Sequence, residues 1–241
     1  MHDYHTHIGQ FNEVYYDYHE VLRTLKNNGI TEATLAYLTP RFDNGNYAKD
    51  FYFAVRNELK DVRNFANRIN IKINILYWAD PLVLKSISLD KIFSDFNYSG
   101  IALHPGVHSW TKDFSDLLSL IFCFAKDKNI PLFIHTGVSE YDNPLQFEKW
   151  FANFPTVSVQ LAHCKDSKPI IELFSKYKNL TGDTAFCPAD SYKAICAAGF
   201  KHRMYFGSDF PITHYYHNKQ SSIKRTLDEQ YKIDCSFILE F

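Results

Sequence analysis

The sequence is poor in the features that mark several protein classes. Its charges nearly cancel, with 26 Lys and Arg against 27 Asp and Glu. No basic stripe stands out, so no nucleic-acid partner is expected, because such surfaces carry clustered Lys and Arg. No apolar run approaches the roughly 18 residues that a membrane-crossing helix needs, so no membrane partner is expected either. Nothing ahead of the first candidate strand, which begins at Met1, reads as a secretory leader. The cysteines at 123, 164, 187, 196 and 235 are odd in number, scattered and without a CxxC pair. That pattern argues against a disulfide framework and for a reducing compartment, so a cytoplasmic location is expected. Low-complexity tracts, linkers and short repeats are missing as well.

What is present suits one domain. The chain's 241 residues fit the size of an α/β barrel, and 46% hydrophobic residues supply a sizeable core. The aromatics, 21 Phe and 16 Tyr, read as core and pocket filling rather than a nucleic-acid platform, given the balanced charge.

Apolar periodicity alternates between two kinds of segment. Strands are expected at 1–7, 30–38, 71–78, 100–104, 131–135, 157–163, 179–184 and 203–209. Helices are expected at 17–28, 48–69, near 90–96, at 114–127, from Asn143-Pro144 onward, and at 167–177, 189–199 and 219–231. Asp17 can cap the first helix and Asn28-Gly29 can end it. Strand followed by helix, eight times over, points to a parallel sheet. At this length it predicts a single closed (β/α)8 TIM barrel over residues 1–241.

In such a barrel every strand ends at one rim, where active sites sit. The expected strands end in polar residues: His7, Asp80, His104, His135, His163, Asp183 and Asp209. Asp80 precedes Pro81, and Asp-Pro is a turn signal, so capping explains it. His135 and His163 have no special turn role, yet both close apolar strands. In the first strand His5 and His7 lie two apart and so share a face. Two adjacent imidazoles are half of a metal site. Gly9 is expected to turn the chain away after them.

Asp3-x-His5-x-His7, His135 and His163 ending the fifth and sixth strands, Asp183-Thr184 at the seventh and Phe206-Gly-Ser-Asp-Phe-Pro211 at the eighth together resemble the amidohydrolase superfamily. The nearer likeness is to its amidohydrolase 2 branch of metal-dependent hydrolases, which also holds carboxylate decarboxylases. The resemblance runs from residue 3 to 211. It implies that His5, His7, His135 and Asp209 bind one divalent metal, with zinc the first expectation and manganese, iron or nickel also suited. It implies that His163 either binds a second metal or polarises the substrate. Binuclear members carry a bridging lysine or glutamate at the fourth or fifth strand; neither occurs here, so one metal is expected. His104 would stand in the pocket wall beside His163, or cap its own turn before Pro105, or add a weak ligand.

A bound metal with an open position acidifies its water. Asp209 and His163 are then the expected catalytic residues, Asp209 moving the proton and His163 contacting the substrate carbonyl oxygen. Each ligand histidine needs an acceptor on its other nitrogen, and Asp183 is the nearest candidate. The leading reading is a metal-dependent hydrolase of a small-molecule amide, ester or lactone. Non-oxidative decarboxylation uses the same ligands and needs a cation for the substrate carboxylate, for which Arg41 or Lys165 could serve. A TatD-like nuclease and a degenerate, non-catalytic barrel rank lower. The loops that choose the substrate do not encode it, and the oligomeric state cannot be read from the sequence.

Overall fold

Alternating apolar residues build one mixed sheet in the computed structural model, which describes residues 1–39, 45–108, 110, 114–137 and 139–239. The strands are β1 (His2–Phe11), β2 (Val14–Tyr16), β3 (Glu32–Leu38), β4 (Lys72–Trp78), β5 (Gly100–Leu103), β6 (Leu132–Ile134), β7 (Val159–Leu161), β8 (Leu180–Asp183) and β9 (Met204–Tyr205). Their order across the sheet is β2-β1-β3-β4-β5-β6-β7-β8-β9. All neighbours pair in parallel except β1 and β2, which form an antiparallel hairpin. The sheet curves like a barrel wall. After β9 the chain returns to β1: Tyr4 N donates to Phe206 O (2.8 Å), Asp209 N to His5 O (2.8 Å) and His7 N to Phe210 O (2.7 Å).

Helices cover the outside: α1 (Tyr18–Asn27), α2 (Gly45–Arg68), α3 (Pro81–Leu84), α4 (Leu89–Asp95), α5 (Pro105–His108), α6 (Ser115–Lys128), α7 (Glu148–Asn153), α8 (Ser167–Lys176), α9 (Ala189–Ala197), α10 (Ile212–Gln220) and α11 (Leu227–Leu239). The main core lies between helices and sheet. A separate small cluster, Ala36, Leu76, Ala102, Phe133 and Ala162, fills the middle of the sheet's concave side. No helix among the described residues is long and apolar enough to cross a membrane.

Caps fall where the sequence places them. Asp17 accepts from His19 N, Asp80 from Leu82 N and Asn143 from Leu145 N, each ahead of its helix. Three expectations change. The chain does not turn away at Gly9; β1 runs on to Phe11 and folds back through Asn12 and Glu13 onto β2. Gly9 is required for another reason: its φ is +98°, and a Cβ there would stand 2.6 Å from the Tyr37 ring. The eighth parallel strand is short, Met204–Tyr205 rather than 203–209. The helix expected at 219–231 is two helices. Thr226 and Glu229 form a capping box, Glu229 N donating to Thr226 Oγ1 (3.2 Å) and Thr226 N to Glu229 Oε2 (2.8 Å), which starts α11 afresh.

A register shift between Asp3 and Thr6 matters for the site. Three steps on β1 oppose two on β3, a bulge that changes which side chains face inward. His2 and Tyr4 line a cavity at one end of the sheet, while His5 and His7 line a pocket at the other. Strict alternation would turn one of those pairs outward.

Candidate metal centre and pocket

The HxH pair lies on β1 at the C-terminal rim, both rings buried. His5 Nδ1 lies 3.1 Å from Asp183 Oδ2, and His7 Nδ1 lies 3.2 Å from Ala36 O. A carboxylate and a carbonyl only accept, so both Nδ1 atoms are donors and each neutral ring presents a lone pair at Nε2. Those two Nε2 atoms are 3.1 Å apart. Asp209 Oδ1 stands 3.3 Å from the first and 3.0 Å from the second. Three acceptors thus face one another with no donor of their own, an arrangement that requires a cation or a proton. Ligands about 2.1 Å from one ion are roughly 3.0–3.4 Å apart, which is the spacing found here. The donor set therefore fits a divalent metal.

The electrostatics agree. Burial alone lowers the His5 pKa, but the carboxylates of Asp183 and Asp209 outweigh it and carry it up to about 9. Burial raises the Asp209 pKa, yet the neighbouring His5, His7 and His163 rings hold the carboxyl below its usual range. The same field that keeps a proton among these groups favours a metal ion.

Asp183 is the hub beneath the cluster. Its Oδ2 accepts from His5 Nδ1 and from Gln160 Nε2 (2.9 Å), and its Oδ1 from the amides of His163 (2.9 Å) and Ala185 (3.1 Å). This is the acceptor expected on the far side of a ligand histidine. His163 and Asp209 both adopt left-handed backbone, φ +69° and +53°, uncommon for these residues and a form of strain that clusters at functional sites. Gly207 makes room for this packing, since a Cβ there would meet His5 Cβ at 2.8 Å and Asp183 Cβ at 3.0 Å.

The remaining histidines stand beside the cluster. His163 brings a nitrogen within 4.8 Å of the His5 and Asp209 donors. Its Nδ1 donates to Ala185 O (3.0 Å), so Nε2 is an acceptor, and it lies 3.0 Å from His135 Nδ1. His135 Nδ1 is therefore occupied by His163, and only its Nε2 lone pair is left for a metal. Of the four expected ligands, His5, His7 and Asp209 converge tightly, and His135 adjoins them through His163. Burial pushes the His163 pKa down to about 4 and that of His104 to about 3, and holds His135 well below its ordinary value. These rings are neutral at physiological pH.

His104 combines two of its expected positions. Its Nδ1 accepts from Val107 N (3.2 Å), which caps the turn, while its ring stacks on His135 at 3.7 Å and lines the pocket. Asp142 approaches the same two rings. Because those rings are parallel within 15°, their lone pairs run side by side instead of meeting at one point.

Above the cluster lies a pocket of about 620 Å³. Phe11, Trp78, Phe186 and Tyr216 wall it, and Lys165 is the only Lys or Arg lining it among the described residues. Arg41 lies outside the described residues. Trp78 is held by Nε1 donating to His108 Nδ1 (3.1 Å). Periodicity and motif spacing did not flag Gln160, His108 or Tyr231 as site-building residues. Gln160 is a polar residue within an apolar strand, which is the signal that marks it.

Comparison with known proteins bears on the fold and the family. The fold matches a probable 2-pyrone-4,6-dicarboxylic acid hydrolase from Acinetobacter baumannii with citric acid bound (TM-score 0.60, 14% identity, covering 100% of this chain and 92% of that one). It also matches a 5-carboxyvanillate decarboxylase from Novosphingobium aromaticivorans, complexed with manganese and 4-hydroxy-3-methoxy-5-nitrobenzoic acid (TM-score 0.62, 12% identity, 89% and 73% covered). A protein described as amidohydrolase II matches over 100% of this chain and 99% of its own (TM-score 0.62, 12% identity). No curated protein matches the sequence. At these identities the structures speak for the fold alone. The sequence itself matches the Amidohydrolase family model (Amidohydro_2) over residues 93–233, more than half its length, and the chain belongs to that family.

Proposed function

We propose that this chain is a metal-dependent hydrolase of a small-molecule lactone, ester or amide, built on a single closed (β/α)8 barrel. The backbone hydrogen bonds from β1 to the segment after β9 support closure. The observation that carries the functional reading is the His5, His7 and Asp209 triangle, three acceptors 3.0–3.3 Å apart without a donor. These residues would hold one divalent ion, zinc first, with His135 as the fourth ligand through Nε2. When bound, the ion supplies Lewis-acid polarisation of an oxygen.

The protein's own groups do the rest. Asp209, ionised in the cluster, accepts a proton from the attacking water and returns it to the leaving group. His163 has only Nε2 with which to reach a substrate oxygen, because Ala185 holds Nδ1. There substrate would displace the His135 contact; as negative charge develops on the oxygen, Nε2 takes a proton from solvent, donates a hydrogen bond to that oxygen, and gives the proton back when product leaves. His104 and Trp78 flatten one wall of the pocket with stacked rings, 5.6 Å between centroids. Lys165 sets the charge preference, favouring a substrate with a carboxylate.

Lys165 also supports a second reading, non-oxidative decarboxylation, since a cation at the rim can hold the carboxylate to be lost. One experiment separates the two. Chelator-treated protein, reloaded with zinc or manganese, is offered lactones, esters, amides and aromatic carboxylates while acid and carbon dioxide release are followed. Acid release that chelation abolishes and metal restores is the expected result. Carbon dioxide release would establish the second reading, and no turnover with any metal would contradict both.

A further inference from the structure

Asp3, beneath His5, is held by a residue 228 positions away in sequence. Tyr231, in α11, is fully buried, and its hydroxyl donates to Asp3 Oδ2 at 2.7 Å. That oxygen also accepts from Ser208 Oγ (2.7 Å). The other oxygen, Oδ1, accepts from the amides of His5 (3.1 Å) and Ser208 (3.1 Å). A single carboxylate, fully buried, thus gathers the backbone of His5, the Ser208 turn that carries Asp209, and the C-terminal helix. The Tyr231 ring packs against Phe210 at 4.9 Å, on the other side of Asp209.

Resting on the metal centre proposed above, we infer that Tyr231 is a positioning residue for it, acting through Asp3 to set the distance between His5 and Asp209. Asp3 does not reach the cluster itself. What it controls is where two donors from opposite ends of the chain sit relative to one another. Its Oδ1 is tied to the amides of His5 and Ser208, and its Oδ2 to the Ser208 hydroxyl and, through Tyr231, to the helix. Removing the phenolic O–H leaves Oδ2 with Ser208 Oγ alone, so the carboxylate rotates toward Ser208 and the His5 and Asp209 donors lose their common focus. Asp209 is the more sensitive of the two, because its left-handed backbone is held by neighbouring contacts rather than by intrinsic preference.

The test is Tyr231→Phe, which keeps the ring and deletes the hydroxyl. Zinc affinity is measured by competition with a chromophoric chelator, and the visible spectrum of the cobalt-substituted protein reports the ligand geometry. Tyr177→Phe is the matched control, since its hydroxyl also donates to a carboxylate, Glu148, at 3.0 Å, away from the cluster. The expected result is one zinc per chain bound about 10- to 100-fold more weakly in Tyr231→Phe, the usual scale for groups that orient metal ligands. The cobalt spectrum should shift, and Tyr177→Phe should behave as wild type. Should Tyr231→Phe fail to fold, Ser208→Ala removes the other donor to the same oxygen and is read in the same way. Wild-type affinity and spectrum in the variant would overturn the inference. A wild-type chain that binds no zinc, cobalt or manganese would instead overturn the metal centre, and this inference with it.

Discussion

The two ends of the sheet's concave side are made by the same strands and differ in kind. At the C-terminal rim, imidazoles and a carboxylate face one another around a pocket of about 620 Å³. At the opposite end, hydroxyls, amides, the His2 imidazole and the rings of Tyr4, Phe133 and Tyr205 surround a cavity of about 350 Å³. The lower groups pair among themselves: His2 Nε2 with Thr34 Oγ1 (3.0 Å), Asn74 Nδ2 with Glu32 Oε1 (2.7 Å), and Tyr4 stacked on Tyr205. Phe133 lines both spaces and stands between them. The lesson is that polarity alone does not mark the active end. The rim is distinguished by acceptors that cannot satisfy each other, and that deficit is what the proposed metal ion would fill.

The comparison breaks most readily at His7. Replacing it with alanine removes one of three converging donors, so metal affinity should fall by more than about 100-fold, beyond the usual cost of losing an orienting group. Equilibrium dialysis of His7→Ala against zinc checks this; undiminished binding would dissolve the distinction between the two ends.

The next effect separates ligand from substrate partner. His163→Asn should keep one metal per chain and lose about 10²-fold in rate, the scale of a positioned acid/base or oxyanion partner. Metal analysis and turnover on the same preparation decide it. Loss of metal along with activity would make His163 a ligand, which its place within 4.8 Å of the His5 and Asp209 donors allows.

Acidity provides a graded test. With its pKa raised to about 9, His5 carries a proton at neutral pH when no metal is bound, and a metal must displace it. Each metal bound below that value releases one proton, so affinity should rise about tenfold per pH unit toward pH 9 and level off above it. Titrations at several pH values, with proton release followed in weak buffer, measure the slope. A flat profile would mean that His5 does not take part.

The smallest effect belongs to the lower end. Thr181 lines the cavity there, and its hydroxyl makes only a long 3.4 Å bond to Val159 O. Thr181→Val should change stability by less than about 0.5 kcal/mol and leave metal affinity untouched. A thermal melt and a zinc titration suffice, and weakened zinc binding would show that the two ends are coupled.

Much of this was legible in the sequence because it follows from local rules. The strand-helix alternation, the caps at Asp17, Asp80 and Asn143, and the HxH pair on one face all depend on residues close together in the chain. The acceptor behind His5 was anticipated at Asp183 from its strand-end position. The bulge in β1 was not, because it is a register relation with β3, and nothing local to residues 3–6 announces it. The division of the last helix has a local signal in Thr226-x-x-Glu229, which apolar periodicity across 219–231 does not register. The contact between His163 Nε2 and His135 Nδ1, and the closer approach of His163 to His5 and Asp209, depend on ring rotation and tautomer, which spacing cannot encode. Tyr231 pairing with Asp3 joins the two ends of the chain, and only the folded geometry shows it.

The most direct test of the central claim is metal stoichiometry joined to ligand distances. Elemental analysis of the zinc-loaded protein, followed by X-ray absorption at the zinc edge, should give one zinc per chain with nitrogen and oxygen donors at about 2.0–2.2 Å. His7→Ala should lose that signal. No bound metal, or a site that survives without His7, would contradict the account.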